Sequence, residues 1–336
     1  MALTLLTFPR AAGRNLLARM IARRLLAGLL MLLAISLLIF AGLNLLPGDT
    51  ATAVLGQSAT PAAVHALKLQ LGLDQPAWWR YLHWLGGVLQ GDFGISLTSR
   101  DNISVDLWDR LKNTLFLASS TALVSVPVAL IIGFVSVRFH GGWVDNLLNL
   151  LTRAAVALPE FFSGYLLILI FSMTLAWLPS NSNVQIDMPL SGRLMAIVLP
   201  GLTLVLAVLG HMSNMTRAAL LSAQRSSYVD TAILKGLSPM GVLWRHVLPN
   251  AWGPIINVIV LNMAYLMVGV VIVENVFVYP GLGQYMVDSI SKRDVPVVQG
   301  CALVLAAIYI LLNLFADIVA LLTNPRIRHG NQSCPH

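Results

Sequence analysis

Charge is scarce in this chain. Only 10% of its 336 residues are Asp, Glu, Lys or Arg, against about 25% in a typical soluble domain. That scarcity excludes a soluble cytosolic enzyme. It also excludes disorder, because disordered chains combine low hydrophobicity with high charge. Cysteine is nearly absent. Cys301 and Cys334 cannot build a disulfide framework or a zinc site. The seven histidines are scattered, with no i, i+4 pair and no cysteine cluster, so a metal site has no support. No Walker A sequence occurs, so no phosphate-cradling loop is legible. No nucleophile–base pattern stands out, and an intramembrane enzyme therefore lacks a catalytic constellation.

What is present is hydrocarbon: 57% of the residues are hydrophobic. A helix needs about 20 apolar residues to cross a bilayer. Such runs occur at 25–46, 114–137, 147–178, 194–215, 254–278 and 300–322. The first contains no charge, is too long for a signal-peptide core and is followed by Pro47-Gly48-Asp49 rather than an A-x-A-like site. It reads as an uncleaved span. The third carries Pro159 and Glu160 and is expected to kink or to begin in the interface. The pattern predicts an all-α polytopic membrane protein with six transmembrane helices.

Six spans place both termini on one side. The net charge of +7 then reports orientation. With cytoplasmic termini, 13 basic residues lie inside against Asp145 and Asp230, while eight lie outside against nine acids. This follows the positive-inside rule. The segments become a basic cytoplasmic stretch 1–24, a first span 25–46, an external segment 47–113, a five-helix core 114–322 and a cytoplasmic tail 323–336. Met20 reads as an alternative start. The aromatic residues Trp78, Trp79, Tyr81, Trp84 and Trp108 of the external segment read as an interfacial belt.

Three acids remain within the spans, and charges there are functional suspects by default. Glu274 is expected near the external end of the fifth span, where it either lines a pathway or braces the following Pro280-Gly281-Leu282-Gly283 turn. Asp317 is expected near the cytoplasmic end of the sixth, either lining the pathway or pairing with Arg326 or Arg328. Glu160 is expected to bind backbone groups freed at a kink. Asn262, Asn313 and His211 read as interhelical hydrogen bonders. The helix-breaking Pro280, Gly281 and Gly283 allow a re-entrant segment at a cavity or a simple external turn.

The cytoplasmic loop 223–249 carries the densest local signal. Tyr228 to Leu234 suits a short amphipathic helix. Gly236 suits a left-handed helix end, Ser238 an N-cap and Pro239 a first helical position. The spacing predicts helix–turn–helix. It resembles the E-A-A-x3-G-x9-I-x-L-P loop of ABC-importer permeases, with Asp230-Thr231-Ala232 at the E-A-A positions, Gly236 at the glycine, and His246, Leu248 and Pro249 at I-x-L-P. Asp for Glu, Thr for Ala and His for Ile are departures.

Other segments resemble the dipeptide/oligopeptide/nickel branch of that family, in matching order from about 20 to 329. They are Pro47-Gly48-Asp49, Leu71 to Pro76, Gly91 to Ser96, Glu274 to Phe277 with Pro280 to Gly283, Arg293 to Gly300 and Asn324 to Arg328. The early segments match the B-type permease subunit better than its partner. The resemblance implies a type I importer permease fold in a bacterial inner membrane. It implies four partner subunits or proteins besides lipid: a second homologous permease, two ATP-binding subunits and an external solute-binding protein. ATP and Mg would reside in the ATPases, with no cofactor on this chain and no nucleic acid partner. The 228–237 helix would be the coupling helix, using Asp230, Thr231, Ala232, Gly236, Leu248 and Pro249. Family cargo spans peptides, nickel, metallophores and glutathione. The short 179–193 loop is closer to the compact nickel-type form. The different-class alternative is an ion-coupled secondary transporter, which would call for internal repeats and midplane charges.

Overall fold

The structure is a computed structural model that describes residues 10–45, 52, 55, 59–70, 72, 74–184 and 188–323. Pro47-Gly48-Asp49, Leu71, Leu73, the Asn324–Arg328 stretch and Cys334 lie outside the described residues. Among the described residues the secondary structure is helical, with one isolated antiparallel bridge between Ile95 and Asn102.

Helix α1 spans Arg10–Leu45. Two shorter helices follow, α2 Pro61–Gln70 and α3 Ala77–Leu89. Helix α4 runs over Ile103–Arg138. It starts 11 residues before the apolar run predicted from Thr114, because Asn102 caps it by accepting from the Ser104 amide at 2.9 Å. A capped polar first turn costs the helix nothing outside hydrocarbon.

The predicted third span is broken. Helix α5 covers Trp143–Ala157 and α6 Glu160–Leu167, with a π-helical continuation over Ile168–Thr174. The two arms meet at Leu158-Pro159 with a bend of 102°. Pro159 lacks an amide hydrogen and forces the preceding residue out of helical backbone; Leu158 is extended, at φ −87° and ψ 125°. Among the described residues, five helices are thus long and apolar enough to cross a membrane, or six if the bent pair counts as one.

After α7, Leu190–Ala196, the long α8 spans Val198–Gln224. Helix α9, Ser227–Leu234, and α10, Pro239–Val242, form the connection. A π turn at Leu243–Val247 leads into α11, Leu248–Val276. Helix α12, Leu282–Ser291, and the final α13, Val295–Thr323, complete the order.

Contacts fix the directions. A methyl on Gly201 would meet Thr121, and one on Gly133 would meet Thr216, so α4 and α8 run parallel. Asp145 faces Arg217 while Thr152 faces Asn214, so α5 runs antiparallel to α8. Leu117, Leu199, Leu204, Met212, Leu266 and Val270 form the centre of the buried core. A second cluster at the 223–249 end gathers Val137, Leu220, Val229, Ala232, Leu243, Val247 and Ile255. A third, at the opposite end, joins Ile103, Leu107, Leu282, Val297 and Cys301.

Helix α1 lies on α13, where Gly28 sits against Ile310 and Arg24 pairs with Asp317. The aromatic belt divides in two. Tyr81 packs edge-on to Phe40 of α1 at 5.3 Å and shares a 2.8 Å hydrogen bond with Ser36. Trp78, Trp79 and Trp108 stay exposed.

Candidate functional site

Three sites carry the polar chemistry. The first is the turn after α11. Helix α11 ends at Val276 and α12 starts at Leu282, so α12 presents unsatisfied amides to the core. Glu274 and Thr114 satisfy them. The Thr114 hydroxyl accepts from the Leu282 amide at 2.9 Å. The Glu274 carboxylate accepts from the Gly283 amide at 2.7 Å and the Gln284 amide at 3.4 Å. Thr114 in turn donates to Glu274 at 2.6 Å. A negative group at the positive end of a helix adds to this arrangement.

Gly281 and Gly283 are there for space. A β-carbon on Gly281 would overlap the Glu274 carboxylate, and one on Gly283 would sit 2.6 Å from the Val271 Cα. The turn is also tied from above. Asn113 donates to the Pro280 carbonyl at 2.9 Å, Tyr279 donates to the Asn113 carbonyl at 2.9 Å and Arg193 donates to the Asn113 side chain at 3.0 Å. Burial pushes the Tyr279 phenol above its ordinary value, with the Glu274 charge second, so it remains a donor.

Glu274 has no exposed surface. Of its two sequence readings, the geometry fits the brace, because its carboxylate is held by the chain's own groups. Pro280, Gly281 and Gly283 belong to the same sealed turn. Asp317 lies elsewhere, half exposed and paired with Arg24. The sequence pairing with Arg326 or Arg328 falls outside the described residues.

The second site is the α8–α11 connection. Gly236 adopts φ +79°, a left-handed conformation that costs other residues about 1–2 kcal/mol. The Ser238 side chain accepts from the Gly241 amide at 3.2 Å, and Pro239 opens α10. Val229 and Ala232 are buried in the bundle. Ile233 and Leu234 on the same helix are exposed, Leu234 at 87%. Asp230 lies in the first turn of α9 and Thr231 bonds back to the Ser227 carbonyl at 3.1 Å. Leu248 and Pro249 begin α11. The result is a short helix clamped on one face, with Asp230, Thr231, Ile233 and Leu234 exposed on the other.

Beside it stands a cluster with no local sequence signal. Asp145, buried at the start of α5, takes a bidentate contact from Arg217, Nε at 3.0 Å and Nη2 at 2.8 Å. Ser136 also donates to Asp145. These bonds lock α4, α5 and α8 together immediately below α9.

The third site is a cavity of about 520 Å³ walled by α5, α6, α8, α11 and α13. Glu160, His211, Asn262, Tyr265, Tyr309 and Asn313 contribute its polar lining. The sequence reads His211, Asn262 and Asn313 as interhelical hydrogen bonders and Glu160 as a kink partner; the amides of Asn262 and Asn313 instead donate to carbonyls of their own helices. Their convergence depends on helix packing that no local pattern encodes. Among the described residues, no group of three or more His, Cys, Asp or Glu is placed to hold a metal ion.

The comparisons with known proteins agree with this architecture. Residues 125–329 match the family described as binding-protein-dependent transport system inner membrane component, and residues 17–118 match the N-terminal component of such systems. A probable peptide ABC transporter permease protein of Sinorhizobium fredii is 34% identical over 92% of this chain and 99% of its own length. A glutathione transport system permease protein of Escherichia coli is 33% identical, over 92% and 98%. The solved inward-facing MetNI methionine ABC transporter shares the fold at a TM-score of 0.51 and 15% identity, covering 65% of this chain and 96% of that one. With most of its length matched and its helices folded as in that importer, the chain belongs to the binding-protein-dependent ABC importer permeases, the multi-pass inner-membrane components of these systems.

Proposed function

We propose that this permease forms one half of the translocation pathway of an importer for di- and oligopeptides. The relatives named for peptide and glutathione transport support a peptide-like cargo, and glutathione is the second reading. The nickel and metallophore readings draw no comparable support from these relatives. Membership of the importer permeases displaces the secondary-transporter alternative.

The observation that carries the mechanism is the α9 helix, buried through Val229 and Ala232 and exposed through Ile233 and Leu234. Its exposed face, on which Asp230 and Thr231 stand beside Ile233 and Leu234, is the contact for an ATPase subunit in the cytoplasm. Asp230, Thr231, Gly236, Leu248 and Pro249 form the seat of that contact, and the buried Ala232 anchors the helix behind it. ATP and Mg act in the ATPase subunits, and this chain converts their movement into a rigid-body shift of its helices. The Glu274 end faces outward and receives the solute-binding protein, so both termini lie inside. A second, homologous permease completes the pathway. ATP and the loaded binding protein drive transport only by preferring different states of the permease.

The test is co-purification of the tagged chain from its own membrane, followed by reconstitution with the binding protein. The expected result is a complex holding a second permease and two ATPase subunits, with ATP-dependent uptake of labelled dipeptides. Isolation as an ion-coupled transporter without ATPase subunits would overturn the assignment.

A further inference from the structure

The cavity between α5, α6, α8, α11 and α13 has an unbalanced charge, because Glu160 is the one Asp, Glu, Lys or Arg among its lining residues. Two carboxamides of the lining each spend a donor on their own helix. Asn262 Nδ2 donates to the Val258 carbonyl at 2.8 Å, and Asn313 Nδ2 donates to the Tyr309 carbonyl at 2.8 Å. Both partners are backbone acceptors, so each amide must turn its nitrogen toward its own helix and its oxygen away. On the same wall stands Glu160. Asn262 Oδ1 and Glu160 Oε2 are both buried without a donor.

Glu160 has no salt bridge to any Lys or Arg among the described residues. Its position is built in. Gly269 of α11 has no side chain to occupy the space, and a β-carbon there would stand 2.6 Å from Glu160 Oε2. The bend at Pro159 places Glu160 in the first turn of α6, where the Tyr265 hydroxyl is its one neutral hydrogen-bonding partner among the described residues and leaves its charge uncompensated. An acid without a counter-charge at membrane depth is costly. A cation entering the cavity would offset that cost.

We propose that this cavity is a binding site for a cationic ammonium group, with Glu160 as its counter-charge. An ammonium brings three donors and a positive charge, and the lining holds no Lys or Arg to compete with it for Glu160. The aromatic rings of Tyr265 and Tyr309 provide faces that favour a cation over an anion. On the peptide-import reading, the ligand is the amino terminus of the cargo as it crosses this subunit.

The test separates the cavity from the cargo. In the full complex in lipid vesicles, Asn313→Cys is labelled with a cationic trimethylammonium methanethiosulfonate and with its anionic sulfonate analogue. The parent chain, whose Cys301 is buried, supplies the background rate. A carboxylate in a low-dielectric cleft raises local cation concentration by an order of magnitude or more. The cationic reagent is therefore expected to react on the order of 10-fold faster, after correction for their rates with a free thiol. Glu160→Gln and Glu160→Met, two neutral replacements, should bring the ratio near unity; having two keeps the test open if one fails to assemble. Equal rates in the Glu160 protein, no labelling at all, or a preference that survives both replacements would overturn the proposal.

A second arm uses saturating loaded binding protein and compares a dipeptide with its N-acetylated form. Glu160→Gln should slow the free-amine form selectively and leave ATP hydrolysis intact; equal slowing of both forms would overturn the assignment to the cargo's ammonium. If the wild-type complex imports neither while the labelling preference holds, the peptide reading fails and the cation site stands.

Discussion

Ser96 donates a 2.5 Å hydrogen bond to Asp294, 198 positions away in the chain. Asp294 also accepts from the Leu97 amide at 3.1 Å, the Thr98 amide at 3.2 Å and the Thr98 hydroxyl at 2.8 Å. The Gly91–Ser96 and Arg293–Gly300 segments, read separately in the sequence, are two halves of one clasp. Asp294→Ala would take the acceptor from the buried Ser96 hydroxyl and the half-buried Leu97 amide, while the exposed Thr98 can turn to water, so the cost should be about 1–3 kcal/mol. Limited proteolysis should then cut within 96–101 faster, and the detergent-solubilised complex should melt earlier. An unchanged cleavage pattern and melting temperature would remove the clasp as a stabilising element.

Thr114→Val tests the brace on the α12 terminus. The substitution keeps the shape, yet it removes the donor to Glu274 and the acceptor for Leu282 together. With both left buried, a loss of about 1–3 kcal/mol is expected, seen as a lower melting temperature. Thr114→Ser should recover most of it, because the hydroxyl returns. Equal behaviour of Val and Ser would show that packing and not hydrogen bonding holds the turn.

The Tyr279 phenol gives this end a pH dependence. Its ordinary value of 10.0 is raised in the folded chain, chiefly by burial. The folded protein therefore binds the phenolic proton more tightly than the unfolded chain does, and stability falls where the unfolded chain would release it. The contribution of Tyr279 is complete below pH 10.0 and declines as pH rises above it. The stability difference between wild type and Tyr279→Phe should hold constant from pH 7 to 9 and shrink above 10. A difference that grows with alkali would reverse the sign.

The features legible in the sequence were those written in adjacent residues. Gly236, Ser238 and Pro239 each carry a backbone preference of their own, and the loop took the conformation those preferences dictate. Apolar length marked the spans for the same reason. Pro159 announced a break, though not its size, because the 102° angle depends on where α6 packs against α11. Glu274 could be read two ways from the sequence. Its role is set by Thr114, 160 positions earlier, and by two glycines whose missing side chains leave it room. The cavity was less legible still. Glu160, His211, Asn262 and Asn313 lie on four different helical segments, and only the packing of those segments makes them one wall. Arg217 and Asp145 were counted as charges that set orientation, since nothing in either neighbourhood names the other.

Gly236 offers the sharpest test of the coupling loop, because its requirement is conformational. A β-carbon there would meet nothing within 4 Å, so crowding in this chain is not the constraint; the φ of +79° is. Asn tolerates left-handed backbone and a β-branched residue does not. Gly236→Asn should therefore retain ATPase association and uptake close to wild type. Gly236→Val should strain the turn by at least about 1–2 kcal/mol. The strain is relieved by swinging the exposed end of α9, where Ile233 and Leu234 lie, while Val229 and Ala232 stay anchored. Uptake should fall several-fold with the helical content and melting temperature of the bundle little changed. If Asn and Val are equally damaging, the position is sensed by the partner surface instead of the backbone. If both are silent, α9 does not need its present angle to transmit motion.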